Sequence, residues 1–315
     1  MTGHLTSDLV KSKARELGAD LVGICSAETL NNNPPDPVWA QTPGRIWPDC
    51  RSVIAIGKRI PWGLLRSDNR AFKTFPPLLV MNKLDDITLN LTYFIEEHGG
   101  NACPTSQNLT DTELKNGSYG ALSFRHVAIE AGLGTLGLNM LLLTPEFGPR
   151  VYVTAVLTDV ELTYDKPLSK SLCLGPSCGR CLLACPSDAV EYWALNKKKC
   201  AENAQAFGTP SFTRLLKQVL QANTLEERQA LLSPDKITGY WQALRTGSMA
   251  YGGCSDCWLA CPIGQDYPKH LKDKYARLAE PPKSRIDKRD CMAKAEKSGE
   301  LGNYRFSQRW IKERN

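Results

Sequence analysis

Eight of the twelve cysteines fall in two blocks whose spacing is typical of iron–sulfur ligands. The first block reads C-x4-C-x2-C-x3-C-P and the second closes with C-x2-C-x3-C-P. Each block therefore ends with the Cys-Pro pair of a bacterial ferredoxin ligand run. Four thiolates bind each [4Fe–4S] cluster, so the pattern predicts two clusters. In two-cluster ferredoxins the cysteine before the proline binds the other cluster, which predicts two crossed sets of ligands.

We call these sets the first and second quartets. The first quartet consists of Cys173, Cys178, Cys181 and Cys261, and the second of Cys185, Cys200, Cys254 and Cys257. Cys200 is the least regular member, because it stands alone after three lysines and far along the chain from its partners. A plain buried thiol is the alternative for Cys200.

Two other uses of cysteine compete with clusters. Paired C-x2-C motifs also bind structural zinc, but a zinc site needs only four ligands and leaves the repeated Cys-Pro endings unexplained. A disulfide framework requires an oxidising compartment, and the chain opens without an apolar signal segment or a twin-arginine pair. The remaining cysteines have no ligand spacing and are expected to be small buried hydrophobes. They are Cys25, Cys50, Cys103 and Cys291.

Length and charge narrow the class of protein. A chain of 315 residues with 42% hydrophobic residues can form two compact units. No apolar run reaches the roughly 18 residues of a membrane span. The net charge is +6, with a basic tail over 283–314; a solvated surface is the commoner meaning, and contact with tRNA is possible but not favoured. Reduced thiols, oxygen-sensitive clusters and the lack of an export signal predict a cytoplasmic protein.

Helix and strand patterns alternate up to about residue 165. They predict an α+β protein with an α/β domain over 1–166 and a double-cluster domain over 167–270. The latter carries a helical insert at 201–253, and a basic tail follows at 271–315. Turn-rich stretches at 31–47 and 101–119 are predicted loops. Predicted helices span 6–17, 84–98 and 122–130, and predicted strands span 19–25, 51–60 and 150–162.

Three glycines lie in the segment AGLGTLG, residues 131–137. Their spacing is similar to a dinucleotide fingerprint, but that fingerprint follows a strand and opens a helix, whereas this segment ends one. We expect the glycines to let the backbone approach a large flat ligand. A packed turn is the alternative.

Residues 123–168 and the cysteine blocks after them resemble the cobalamin-dependent reductase superfamily, which contains reductive dehalogenases and epoxyqueuosine reductases. Coverage is about 110–262, with the motifs in the same order. The pieces TPEFGPR and DKPL favour the dehalogenase branch, whereas the short build without a twin-arginine leader is closer to epoxyqueuosine reductase. The helical-repeat extension common in the latter is not seen, which disfavours tRNA as a substrate.

The resemblance implies a nitroreductase-like first domain that holds cobalamin base-off, followed by a bacterial ferredoxin-like double-cluster domain. Electrons from an external low-potential donor, ferredoxin or flavodoxin, would pass through the clusters to cobalt and cleave a carbon–halogen or carbon–oxygen bond reductively. The substrate would be a small molecule or a modified nucleoside. A cobalamin-free electron carrier that serves a partner enzyme is the alternative function.

The resemblance also suggests site residues. Tyr119 is the expected proton donor, because dehalogenases use a tyrosine and Ser118 stands where epoxyqueuosine reductases have an aspartate. Arg125 is expected to stabilise developing negative charge, with a solvated helix face as its alternative. Leu138 replaces the usual Lys or Arg, which weakens any transfer of substrate specificity. The expected cobalamin contacts are Ser123, Gly132, Gly134, Asn139 and Arg150.

Overall fold

The computed structural model describes residues 5–69, 76–106, 110–114, 119–246, 254–275, 280–299 and 308–311. Its strands are β1 (Leu21–Ser26), β2 (Ser52–Arg59), β3 (Ala102–Pro104), β4 (Thr135–Leu136), β5 (Leu142–Leu143), β6 (Val151–Thr158), β7 (Val190–Glu191) and β8 (Ala194–Leu195). Its helices are α1 (Ser7–Glu16), α2 (Ala27–Asn32), α3 (Pro43–Ile46), α4 (Trp62–Arg66), α5 (Pro76–Glu97), α6 (Phe124–Glu130), α7 (Arg180–Ala184), α8 (Lys197–Ala204), α9 (Thr209–Gln221), α10 (Leu225–Leu231), α11 (Pro234–Thr246), α12 (Asp256–Ala260), α13 (Tyr267–His270), α14 (Lys272–Tyr275) and α15 (Lys283–Ser298).

The main sheet has the strand order β1-β2-β6-β3, and every pair of neighbours is antiparallel. Along β2 the side chains alternate between two cores, as the pleat of a strand requires. Ile54 and Ile56 face a core shared with α1 and α5, whereas Val53 and Ala55 face a second core shared with α6. Both faces of the sheet are therefore covered, which explains the continuous apolar run in β2. This architecture confirms the predicted α+β class.

Several predicted elements differ from the observed ones at their ends. Helix α5 begins at Pro76 rather than at residue 84. Strand β6 ends at Thr158, four residues before the predicted end. The predicted loop at 31–47 contains α3, which begins with a proline in its first turn, where the missing N–H costs nothing.

In its described part, 201–246, the helical insert contains three complete helices, α9, α10 and α11, where the sequence predicts one helical stretch. Helix α10 has its own start signal, since Thr224 and Glu227 form a capping box. Residues 247–253 of the insert lie outside the described residues. In the part of the chain that the structure describes, no helix is both long and apolar enough to cross a bilayer.

Candidate functional site: two cysteine-lined cavities

The cysteines are held by two matched helical turns. Helix α7 carries Cys181 and helix α12 carries Cys257, and the two helices pack against each other. Cys185 ends α7 with φ −71° and ψ 112°, and Cys261 ends α12 with φ −71° and ψ 119°. In each case a proline follows, so the helix cannot continue. The repeated sequence thus folds into the same turn twice.

Each predicted quartet lines one cavity. The first cavity is bordered by Cys173, Cys178, Cys181 and Cys261, and the second by Cys185, Cys200, Cys254 and Cys257. Cys261 belongs to the second block of the sequence but borders the first cavity. Cys185 belongs to the first block but borders the second cavity. Cys200, on helix α8, also borders the second cavity, although it is far along the chain from Cys254 and Cys257. The structure brings together every residue of both predicted quartets.

Burial makes these thiols costly to ionise without a positive partner. Burial, followed by the charges of Cys173, Cys257, Cys261 and Cys178, raises the pKa of Cys181 well above its usual value. The pKa of Cys257 is raised in the same way by burial and then by its neighbours in the second quartet. Several thiolates can share such a space only beside a bound cation, because metal coordination deprotonates a thiol outright.

Backbone N–H groups point at two of the sulfurs. Cys173 Sγ accepts from the N–H of Leu138 at 3.3 Å and of Gly175 at 3.4 Å, and Cys185 Sγ accepts from the N–H of Ala189 at 3.2 Å. Hydrogen bonds of this kind stabilise thiolate and set the reduction potential of a cluster. Gly175 has φ 68°, a left-handed conformation that suits glycine.

Asn139 borders both cavities. Its side chain is 4% exposed, and its Oδ1 accepts from the N–H of Leu141 at 3.3 Å. Its Nδ2 is buried without a hydrogen-bond partner among the described residues. A buried donor without a partner costs free energy, so this amide is suited to a group bound at the boundary of the two cavities.

Two glycines of the AGLGTLG segment lie close against the backbone of other parts of the protein. A side chain on Gly132 would lie 2.6 Å from the carbonyl oxygen of Lys166, and one on Gly134 would lie 2.1 Å from that of Leu143. Gly134 directly precedes β4, which pairs with β5. These contacts are those of the packed turn, given above as the alternative. The contact of these glycines with a large flat ligand stays a prediction.

Arg150 and Ser123 also have partners within the protein. Arg150 is 0% exposed and forms a salt bridge with Asp266 at 2.6 Å. It therefore supports the cysteine-bearing segment instead of offering its charge to cobalamin. Ser123 Oγ lies 2.6 Å from His126 Nδ1, inside the protein. Its hydroxyl is engaged by that histidine.

Tyr119 lies in a polar group that the sequence did not reveal. Its hydroxyl donates to Asp36 Oδ2 at 2.9 Å, and the Lys197 ammonium lies 3.9 Å from the centre of its ring. Burial, followed by the hydrogen bond that Tyr119 donates to Asp36, raises the pKa of Tyr119. Arg125 donates to the carbonyl of Met140 at 2.5 Å, and burial lowers its pKa. The described Arg125 is half-buried, so the solvated helix face, its alternative, does not hold.

The other cysteines give a mixed result. All twelve cysteines are free thiols, so the disulfide framework is excluded. Cys25 and Cys50 are buried as predicted, and Cys103 is partly buried, but Cys291 is exposed on helix α15. In the described ranges, no three His, Cys, Asp or Glu side chains are placed to hold a single metal ion.

The fold is that of a reductase class already known from solved structures. An epoxyqueuosine reductase solved with an epoxyqueuosine-modified tRNA stem loop superposes with a TM-score of 0.52 at 22% identity, covering 87% of this chain and 68% of that one. A likeness at this identity shows the fold alone.

Curated sequences agree with the fold. The chain is 26% identical over 289 residues to the epoxyqueuosine reductase of Bacillus subtilis (strain 168), covering 82% of this chain and 63% of that protein. It is 27% identical over 234 residues to a tetrachloroethene reductive dehalogenase of Desulfitobacterium hafniense, covering 59% and 38%. No protein-family model matches the chain. These relatives confirm the predicted resemblance to the superfamily of reductive dehalogenases and epoxyqueuosine reductases, which are oxidoreductases. The chain spans less than two thirds of the length of both relatives.

Proposed function

We propose that this chain is an iron–sulfur reductase in which two [4Fe–4S] clusters, one in each cavity, carry electrons toward a reductive cleavage. The observation that carries the proposal is the reciprocal exchange of Cys185 and Cys261 between the cavities. That exchange is the ligand pattern of two-cluster ferredoxins. A pair of separate zinc sites gives no reason for the two cysteine-proline turns to have nearly the same backbone angles.

The residues present fit the clusters. Each cavity offers four thiols, and N–H groups reach one sulfur in each quartet. The second cavity extends from its cysteines to apolar side chains of the first domain, including Ile60 and Tyr152, and holds about 180 Å³ of free space. A cluster in this cavity would therefore border the domain in which the substrate is proposed to bind.

Cobalamin is proposed as the cofactor that receives the electrons, on the resemblance alone. When bound, it would supply a strongly reducing and nucleophilic cobalt centre. The residues that the resemblance assigns to it fit only in part. Asn139 has a buried amide nitrogen without a described partner, but Gly132, Gly134 and Arg150 are engaged within the protein. The second cavity is also smaller than the about 300 to 1,000 Å³ of ordinary ligand pockets. No catalytic step is assigned to cobalt here.

These same contacts favour a second candidate function, a cobalamin-free carrier that passes electrons from its clusters to a partner enzyme. In either case an external low-potential donor such as ferredoxin or flavodoxin would supply the electrons. For the reductase, the substrate would be a small molecule or a modified nucleoside, and Tyr119 would supply the proton. Its raised pKa keeps the phenol protonated at neutral pH, as a proton donor requires.

The deciding experiment is metal and corrinoid analysis of protein purified without oxygen. The proposal predicts about eight iron atoms per chain and one corrinoid after reconstitution with cobalamin. Two clusters without corrinoid binding would favour the carrier. Zinc in place of iron, with no absorbance near 400 nm, would remove both candidates.

A further inference from the structure

Two arginines from distant parts of the chain bind the two Cys-Pro turns. Arg150 Nη1 donates to the carbonyl oxygen of Cys261 at 3.1 Å, and Arg285 Nη1 donates to that of Cys185 at 2.7 Å. We infer that Arg150 and Arg285 are matched positioning residues, each fixing the crossing cysteine of one cluster and placing a positive charge beside it. This inference rests on the proposed function, because it presupposes the two clusters.

The need for such residues follows from the helices that carry the cysteines. The last carbonyl groups of a helix have no partners within it, and the proline that follows each cysteine has no N–H to offer. Arginine side chains near a helix C-terminus can bind these carbonyls. Cys185 and Cys261 are the C-terminal caps of α7 and α12. The carbonyl of Cys185 also accepts from the N–H of Asp188 at 3.3 Å, so at this turn the arginine adds a second donor.

Arg150 serves the turn of the first quartet from the start of strand β6. Its Nη1 also donates to the carbonyl of Trp258 at 3.0 Å, and its Nη2 donates to that of Ile263. Its Nε and Nη2 meet both carboxylate oxygens of Asp266, at 2.9 and 2.6 Å. The arginine is fully buried, so the first domain and the loop after Cys261 are joined through one guanidinium.

Arg285 serves the turn of the second quartet from helix α15. Its Nη1 also donates to the carbonyl of Leu183 at 2.7 Å. No described carboxylate forms a salt bridge with Arg285, whereas Arg150 has Asp266. The positive charge beside Cys185 is therefore less compensated than the charge beside Cys261. A cation near a cluster favours its reduced, more negative state and raises its potential.

The test is a redox titration of each cluster, followed by electron paramagnetic resonance in the anaerobically reconstituted full chain. The Cys178→Ala and Cys254→Ala variants assign the two signals, since each removes one ligand and with it the cluster of one quartet. We expect Arg285→Gln to lower the potential of the second-quartet cluster by about 59 mV or more, a tenfold change for one electron, and to leave the other cluster unchanged. Arg285→Lys, which keeps the charge, should recover part of that shift.

The controls separate this effect from a general loss of charge or of fold. Lys294→Gln removes an exposed charge from the same helix and should shift neither signal. Arg150→Gln should lower only the first-quartet potential, and Asp266→Asn should raise it. If these buried variants do not fold, Arg285→Gln decides. An unchanged potential in Arg285→Gln, or equal shifts in both clusters, would overturn the inference. Wild-type protein without two cluster signals would overturn the proposed function itself.

Discussion

Lys197 places its ammonium group 3.9 Å from the centre of the Tyr119 ring. The two residues come from different predicted domains, and Lys197 precedes Cys200 by three positions on helix α8. The proposed proton donor is therefore in direct contact with the helix that carries a ligand of the second quartet. Under the proposed function, this contact would bring the proton donor and a cluster ligand together in one place, as a reductive cleavage requires.

Replacing Tyr119 tests its role as the proton donor. Tyr119→Phe should slow turnover by about a hundredfold or more, the usual contribution of a general acid, while iron content stays unchanged. Activity assayed with a reductive-cleavage substrate, beside iron analysis, measures both. The matched control is Tyr164→Phe, since Tyr164 is an exposed tyrosine of the predicted first domain. Equal activity of wild type and Tyr119→Phe would end this assignment.

Asp36 should set the pH range of that proton donor. Burial, followed by Asp36, raises the pKa of Tyr119 above its usual value of about 10. The phenol therefore stays protonated, and activity is expected to persist as pH rises until that raised pKa is reached. Asp36→Asn removes one cause of the rise, so activity should fall at lower pH than in the wild type. A basic limb that does not move, or moves upward, contradicts this sign.

Removing single thiols tests the second quartet, including its least regular member. Cys200→Ala should reduce the iron content from about eight to about four atoms per chain, with one cluster signal left. Cys291→Ala is the control, because Cys291 is exposed on α15 and borders neither cavity. Full iron content in Cys200→Ala would return Cys200 to a plain thiol.

Substituting glycines distinguishes a role in packing from a role in ligand binding. Gly134→Ala should destabilise the fold by about 1–3 kcal/mol, as overpacking does, because the new methyl group would lie 2.1 Å from the Leu143 carbonyl oxygen. Gly63→Ala is the control: it meets open space in helix α4 and should gain about 0.5–1 kcal/mol. Denaturant unfolding measures both. A Gly134→Ala variant of normal stability that no longer retains its cofactor would restore the ligand hypothesis.

Residues that act through local spacing could be predicted, and residues that act through long-range contacts could not. The two quartets were assembled from the Cys-Pro endings because the crossing of that cysteine is a known consequence of its spacing. Asp36 meets Tyr119 across 83 positions, and Arg285 meets Cys185 across 100. No periodicity connects such partners. The AGLGTLG segment differs from both cases, since a glycine indicates a close approach without indicating which group approaches it.

His126 should make folding stability depend on pH. The ring is 4% exposed, shares a hydrogen bond with Ser123, and meets the Trp310 ring edge-on at 4.2 Å. Burial, followed by the charge of Arg125, holds its pKa well below 6.5. Below about pH 6.5 His126 binds a proton in the unfolded chain but not in the folded chain. Stability is therefore lost as pH falls, by up to about 1.4 kcal/mol per pH unit for this proton.

Replacing His126 with an uncharged residue removes this difference in proton binding between the folded and unfolded chains. His126→Gln should lower the free energy of unfolding at pH 7 but flatten its dependence between pH 5 and 7, as measured by urea unfolding at each pH. The difference between wild type and variant cancels contributions that both share, such as loss of the clusters in acid. If His126→Gln keeps the wild-type slope, another group must titrate, and the packing of Trp310 against a neutral ring loses its support.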